Sequence, residues 1–229
     1  MNLCYITIFP ELIINFFKYG VIKRAVDGGL INFTALNLRD FAQDQHKTVD
    51  DYPYGDSPGM LLKPEPLSRA IIKASEIFPS NKVLVLSAAG IPFSSSFAKK
   101  LSQEAGLTFI CGRYEGIDER VTSIFAHFEV SIGPYVVCGG ELPALVVTES
   151  ILRYRKGVLG NEQSIEGESF SDMFEGEPAR FTRPEHFFGL KVPDYLLSGN
   201  HQSILIEDRK RGSGKQSQNY RSPWNNTQA

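Results

Sequence analysis

A chain of 229 residues, 42% of them hydrophobic, is long enough to bury one large core or two small ones. Its 24 basic and 26 acidic side chains leave a net charge of −2, so nucleic-acid binding would have to come from a local patch rather than from the total. Its three cysteines form no C-x-x-C pair and no stretch is apolar enough over the length of a bilayer, which argues against a zinc site, a disulfide framework and a membrane span.

Leu3–Phe9 is a short apolar run ended by Pro10 and predicts a first strand. Pro10, Glu11 and Asn15 interrupt the apolar start and no basic region precedes it, so no secretory signal is expected; reduced thiols and a cytoplasmic location fit best. From Glu11 to about Asp27, Leu12, Ile13, Phe16, Phe17 and Val21 recur at helical spacing, and Gly28-Gly29 stops that helix. Leu30–Leu38 predicts a second strand. The polar stretch Arg39–Pro58 is too long for a simple connector, and loops of that length are often functional. Leu67–Phe78 predicts a helix, Lys82–Ser87 a buried strand, Phe93–Ala105 a helix and Leu107–Cys111 a strand. Arg120–Ala126 follows as a helix, Phe128–Ile132 as a strand, and Pro143–Tyr154 as a helix with proline in its first turn. Strands alternating with helices predict an α/β fold with a mainly parallel sheet. Ligands of such sheets sit beyond the carboxyl ends of the strands, where Ser87, Gly90, Gly112 and Gly133 fall.

From Gly157 to Phe170 the pattern fades into Gly, Ser, Asn and Glu. The predicted organisation is therefore a first domain over 1–160, a linker over 161–172, a small C-terminal domain over 173–206 and a flexible tail over 207–229. That tail carries five cations against two anions.

Two glycine-rich segments stand out, Cys111–Arg120 and Ser131–Pro143. Glycine lets main chain approach a ligand closely, and two such segments near each other predict a pocket lined by backbone N–H and C=O groups. A dinucleotide fingerprint, a phosphate-binding P-loop and a G-x-S-x-G elbow are absent. His46, His127, His186 and His201 lack metal-ligand spacing, and no metal site is predicted. His46–Gly55 mixes cations, carboxylates and aromatics, which suits either stacking on unpaired bases or a solvated loop. Arg153 and Arg155 close the Pro143 helix, where cations favour the helix dipole. Glu162, Glu166 and Glu168 are either solvated linker carboxylates or groups that close over a substrate.

In order along the chain, Phe9-Pro10-Glu11, Arg39-Asp40-Phe41, His46–Asp51, Tyr54-Gly55 with Pro58-Gly59-Met60, Cys111–Arg120, Ser131-Ile132-Gly133 with Tyr135, and Gly139–Pro143 form one set of motifs. Gly157–Asn161, Glu168-Ser169-Phe170, Thr182-Arg183-Pro184, Val192-Pro193 and Leu196–His201 continue it. Together they resemble the bacterial tRNA (guanine-N1)-methyltransferases, the TrmD family of SPOUT-class enzymes. The resemblance implies a SPOUT-type parallel sheet with helices on both faces and a deep trefoil knot, plus a small helical C-terminal domain. It also implies a homodimer whose active sites are shared between two chains. The methyl donor would be S-adenosylmethionine, with Mg2+ as a possible further requirement, and the acceptor N1 of the guanosine at tRNA position 37.

By the same resemblance, Glu168 takes the role of base toward the N1 proton, with Glu166 second, and Arg153 stabilises charge at O6. The donor is met by Leu86, Ser87, Gly112, Tyr114, Glu115, Ile132, Gly133, Tyr135, Gly139, Gly140 and Pro143. Glu115 would attract the donor's ammonium or help position a divalent ion. Transfer RNA is met by Arg24, His46, Lys47, Asp50 and Arg183, with Arg209-Lys210-Arg211 in the tail. The chain departs from the family at Glu168, where Asp is usual, at Pro134, at Ala88-Ala89 and in its short polar tail. Two rival readings are a catalytically silent tRNA-binding SPOUT protein and a nicotinamide-dependent oxidoreductase, the latter weakened by the missing glycine fingerprint.

Overall fold

Leu3, Cys4, Tyr5 and Ile6 are all buried, so this run must be covered on both faces, as central strands of parallel sheets are. In the computed structural model these residues lie in β1 (Asn2–Thr7). The structure describes residues 1–55, 58–160 and 179–200, together with Gln202, Ile204, Ile206 and Glu207. β1 is joined in one five-stranded sheet by β2 (Asn32–Asn37), β5 (Lys82–Pro92), β6 (Gly106–Ile110) and β7 (Phe128–Ser131). The spatial order is β2-β1-β6-β5-β7 and every pairing is parallel. A two-stranded antiparallel pair, β3 (Asp50–Asp51) and β4 (Leu61–Leu62), stands outside it.

Alternate strand residues feed two separate cores. Leu3, Tyr5, Leu84, Leu86, Leu107 and Phe109 pack with α1 (Pro10–Phe16), α2 (Gly20–Asp27), α4 (Ser95–Leu101) and α6 (Glu141–Arg153). Cys4, Ile6, Val83, Val85 and Ile110 pack with α3 (Pro64–Ile77) and α5 (Glu119–Phe125). The period of two along each strand therefore places helices on both faces of the sheet. Tyr5 stacks on Phe109 at 5.0 Å and shares a buried hydrogen bond of 2.6 Å with Thr148 of α6. Burial pushes the Tyr5 hydroxyl above its ordinary pKa.

Several element boundaries differ from the sequence-based expectation. The helix expected from Glu11 to Asp27 is two helices, because Tyr19 is extended and Gly20 takes φ +62°. The apolar spacing survives that break, which is why periodicity alone did not reveal it. α3 begins at Pro64 rather than Leu67, since prolines in a first turn lose no hydrogen bond. α4 is shorter than Phe93–Ala105, its start fixed by Ser94, whose hydroxyl accepts from the Phe97 N–H at 3.2 Å. β5 runs past Ser87 to Pro92 with an irregularity between Leu86 and Ile91. Gly90 is thus inside the strand against the Val130 backbone, not at a strand end. Part of the polar stretch after Arg39 is a 3-10 turn, Leu38–Phe41.

The chain divides into two units, Met1–Gly160 and Asn161–Ala229. The described part of the second unit holds an antiparallel hairpin, β8 (His186–Phe187) with β9 (Leu190–Lys191), and a single helical turn, α7 (Asp194–Leu197). The Val192 N–H donates to the Glu185 carbonyl at 3.0 Å and extends the hairpin. The expected linker 161–172 lies outside the described residues, as does all of the expected tail 207–229 except Glu207.

Tyr5→Phe leaves the Thr148 hydroxyl buried without its partner and should cost about 1–3 kcal/mol in chemical denaturation. Adding Thr148→Val should recover part of that loss, because replacing both partners removes the unsatisfied group.

Candidate active site

β5, β6 and β7 end side by side, and the segments that leave them form one cleft of about 430 Å³. This volume falls in the range of small-molecule sites. Leu86 and Ser87 come from β5, Gly112, Tyr114 and Glu115 from the segment after β6, and Ile132, Gly133 and Tyr135 from the segment after β7. Gly139, Gly140 and Pro143 close the far wall at the start of α6. All eleven residues singled out in sequence as donor contacts line this one cleft. Ala88 and Ala89, which the resemblance placed on a wall of the pocket, line it as well, and so do Glu119, Thr122 and Glu129, to which sequence reasoning gave no individual role there.

The walls stay close because main chain meets main chain. A Cβ on Gly140 would lie 2.7 Å from Cys111 Cα and 2.8 Å from the Gly112 nitrogen, so only glycine fits. The Gly140 N–H donates to the Gly112 carbonyl at 2.8 Å across that contact. Cys111 lies buried beneath it, and burial with the nearby Glu141 charge pushes its thiol well above the usual range. Burial also pushes the Cys4 thiol up, to about 12. Cys138, by contrast, is exposed on the cleft wall.

A buried ion pair fixes the same place. Glu141, at the first position of α6, is 1% exposed. Its Oε1 accepts from the Thr7 hydroxyl at 2.6 Å, its Oε2 accepts from Arg113 Nε at 2.9 Å, and Arg113 Nη2 forms an ion pair with the same oxygen at 2.9 Å. The guanidinium lies 4.5 Å over the Phe9 ring and also reaches the Cys138 carbonyl at 3.4 Å. The end of β1, the segment after β6 and the N-terminus of α6 are thus tied through one carboxylate. Both residues lie within the glycine-rich motifs, and the legible signal was a cation and an anion flanking those glycines. Beside the cleft, Asp118 caps α5 by accepting from the Arg120 N–H at 3.0 Å, and the Arg120 guanidinium holds its carboxyl below the ordinary range.

Other expected site residues are not gathered here. Arg153 is half-buried at the last position of α6, whose first turn forms the cleft wall. A rise of about 1.5 Å per residue puts about 18 Å of helix between them. Arg24, His46 and Lys47 are exposed, Asp50 is half-buried, and none of these lines the cleft. Lys47 pairs with Asp40 at 3.1 Å. Arg183 is exposed in the second unit. Glu162, Glu166, Glu168 and Arg209-Lys210-Arg211 lie outside the described residues. Among the described residues no group of three or more His, Cys, Asp or Glu side chains is arranged to hold a metal ion, and no helix is long and apolar enough to cross a membrane.

The family model described as tRNA (Guanine-1)-methyltransferase TrmD matches residues 1–224. A tRNA (guanine-N(1)-)-methyltransferase of Dictyoglomus turgidum is 45% identical over 210 residues, which cover 92% of this chain and 84% of the relative. One from Staphylococcus carnosus is 45% identical over 204 residues, covering 89% and 82%. Among solved structures, the tRNA (m1G37) methyltransferase of Aquifex aeolicus superposes with a TM-score of 0.80 at 34% identity, covering 95% of this chain and 92% of the other.

Two outcomes follow from the geometry. Arg113→Ala strands the buried Glu141 carboxylate and should lower stability by about 3–5 kcal/mol, read from denaturant midpoints. In thiol titration of the native protein, Cys138 should react quickly and Cys4 and Cys111 only on unfolding, giving one fast equivalent per chain of three cysteines.

Proposed function

The chain belongs to the TrmD family of tRNA (guanine-1)-methyltransferases, and on that premise we propose that it methylates N1 of the guanosine at tRNA position 37 with S-adenosylmethionine as donor. The observation that carries this reading is the convergence of the eleven expected donor contacts on one cleft at the carboxyl ends of the parallel strands. A glycine-walled cleft of this size suits a bent nucleoside. Main-chain groups at Gly112 and Gly133 would hold its polar edges, Gly140 would leave room for it, Ile132 and Pro143 would flank its apolar faces, and Glu115 would attract its ammonium.

When bound, the donor supplies a methyl group already activated on a sulfonium. The chain's own residues then have two tasks. Neutral guanine carries a proton on N1, and Glu168 accepts it, with Glu166 second in line. Negative charge moves toward O6, and Arg153 meets it with a fixed cation.

Arg153 stands about 18 Å of helix away from the cleft of its own chain, which supports its delivery from a second copy. Exposed Leu142 and Val146 lie one turn apart on α6, and exposed Val136 and Val137 flank the cleft. An apolar strip of this kind suits a homodimer interface that would bring the partner's helix to the site. The return of the chain after β7 to pack Gly140 against Cys111 and Gly112 supports a knotted crossing beneath the cleft. The small C-terminal unit, with Arg24, His46, Lys47, Asp50 and Arg183, would carry the tRNA, and the protein would act in the cytoplasm where tRNA is matured. Any Mg2+ would meet Glu115 and otherwise substrate and water oxygens.

The testing experiment is methyl transfer to unmodified tRNA. Glu168→Gln should keep donor binding and lower turnover by roughly 10²–10⁴-fold. Arg153→Ala should likewise spare donor affinity while turnover falls. Full activity of Glu168→Gln would move the base role to Glu166, and tRNA binding without product in the wild-type protein would favour the silent binding protein.

A further inference from the structure

The tip of the β8–β9 hairpin is built against its own stability. Two residues, Phe188 and Gly189, connect the strands, and both take positive φ, +47° and +79°. That is the turn Asn-Gly and Asp-Gly make with least strain, and a bulky residue in the left-handed region is an outlier. Burial does not offset the strain, because Phe188 is 91% exposed. Its neighbours follow suit: Phe187 is 62% exposed and Leu190 is 76% exposed. Phe187 meets the Phe188 ring edge-on at 4.6 Å and braces it from one side. Strain together with an uncovered aromatic marks a group held out for contact rather than for folding.

The charges nearby indicate what it contacts. Lys191 binds Asp194 at 2.7 Å and Glu185 at 3.8 Å, so the two carboxylates that flank this hairpin already face a cation. Arg183, exposed on the segment leading into β8, has no carboxylate within ion-pair distance among the described residues. Five residues of extended chain span at most about 17 Å, so a ring and a guanidinium are offered within reach of one short nucleotide segment. An exposed aromatic ring with a cation a few residues away along the chain fits a nucleobase and a nearby phosphate better than it fits an apolar protein surface.

We propose that the Phe188 ring, braced by Phe187, stacks on an unpaired base of the tRNA while Arg183 takes a phosphate of the same loop. This inference rests on the reading of the chain as a tRNA enzyme. It adds a base-stacking contact in the second unit to the donor cleft of the first.

The test is equilibrium binding of the full chain to unmodified tRNA across a salt series, with S-adenosylhomocysteine affinity and thermal stability measured in parallel. Phe188→Asn suits the turn better than phenylalanine does, so its Tm should match or exceed that of wild type. Its tRNA affinity should nonetheless fall about tenfold or more, the scale of one lost stacking platform. Phe188→Trp should keep the affinity. The salt slope should stay unchanged in Phe188→Asn and fall by about one in Arg183→Ala, separating ring from phosphate. Wild-type affinity in Phe188→Asn would overturn the stacking contact. So would a loss accompanied by altered oligomeric state, which would make the ring a contact between copies of the chain. A wild-type protein that binds S-adenosylhomocysteine but no tRNA would overturn the functional reading and this inference with it.

Discussion

The bond between Glu141 and Arg113 is the constraint on which the site depends. A carboxylate 1% exposed is tolerable only when its oxygens are met by donors, and here Thr7 and Arg113 each donate a hydrogen bond and Arg113 adds its charge. Those donors come from distant parts of the sequence. The pair therefore does more than satisfy a charge, because it fixes how far the segment after β6 stands from the start of α6. The glycines matter for the same reason. With Gly140 pressed against Cys111 and Gly112, the ion pair has a single spacing to hold, and the cleft inherits its width from that spacing. A buried pair of this kind is weak evidence for stability as such, since apolar replacements often do as well. Its value here is positional.

Two buried cores on opposite faces of one sheet serve the same end. Alternation along β1, β5 and β6 divides side chains between them, so the strands cannot slip by one residue without exchanging their faces. The ends of β5, β6 and β7 are thereby held in register, and the segments that leave them start from fixed points. The catalytic apparatus can then reside in irregular chain, where backbone groups are free to face a ligand.

Much of this was legible in the sequence, and the reasons differ by element. β1, β5 and β6 were visible as apolar runs because strands covered on both faces of a parallel sheet read as nearly continuous apolar stretches. The cleft was visible because glycine at strand ends has few other uses, and the motif resemblance then named its residues. What stayed hidden depends on contacts distant in sequence. Nothing local marks Glu141 as buried, since its partners are Thr7 and Arg113. The break at Gly20 was hidden because Phe16, Phe17 and Val21 keep helical spacing across it. The run of β5 beyond Ser87 was hidden because Ala88, Ala89 and Gly90 carry no strand signal, and Gly90 is accommodated there by the Val130 backbone against it. The hairpin at Phe188 was hidden because its turn lacks the Asn-Gly signature that would announce it.

One consequence concerns the length of α6. Its first turn walls the cleft and its last residue is Arg153, so the helix acts as a spacer with a fixed phase as well as a fixed length. Inserting or deleting one residue would swing everything beyond it by about 100° around the axis. It would also carry Val147, Thr148, Ile151 and Leu152 off the face they bury. A change in its count of thirteen residues is therefore costlier than a change of any one side chain on its exposed side.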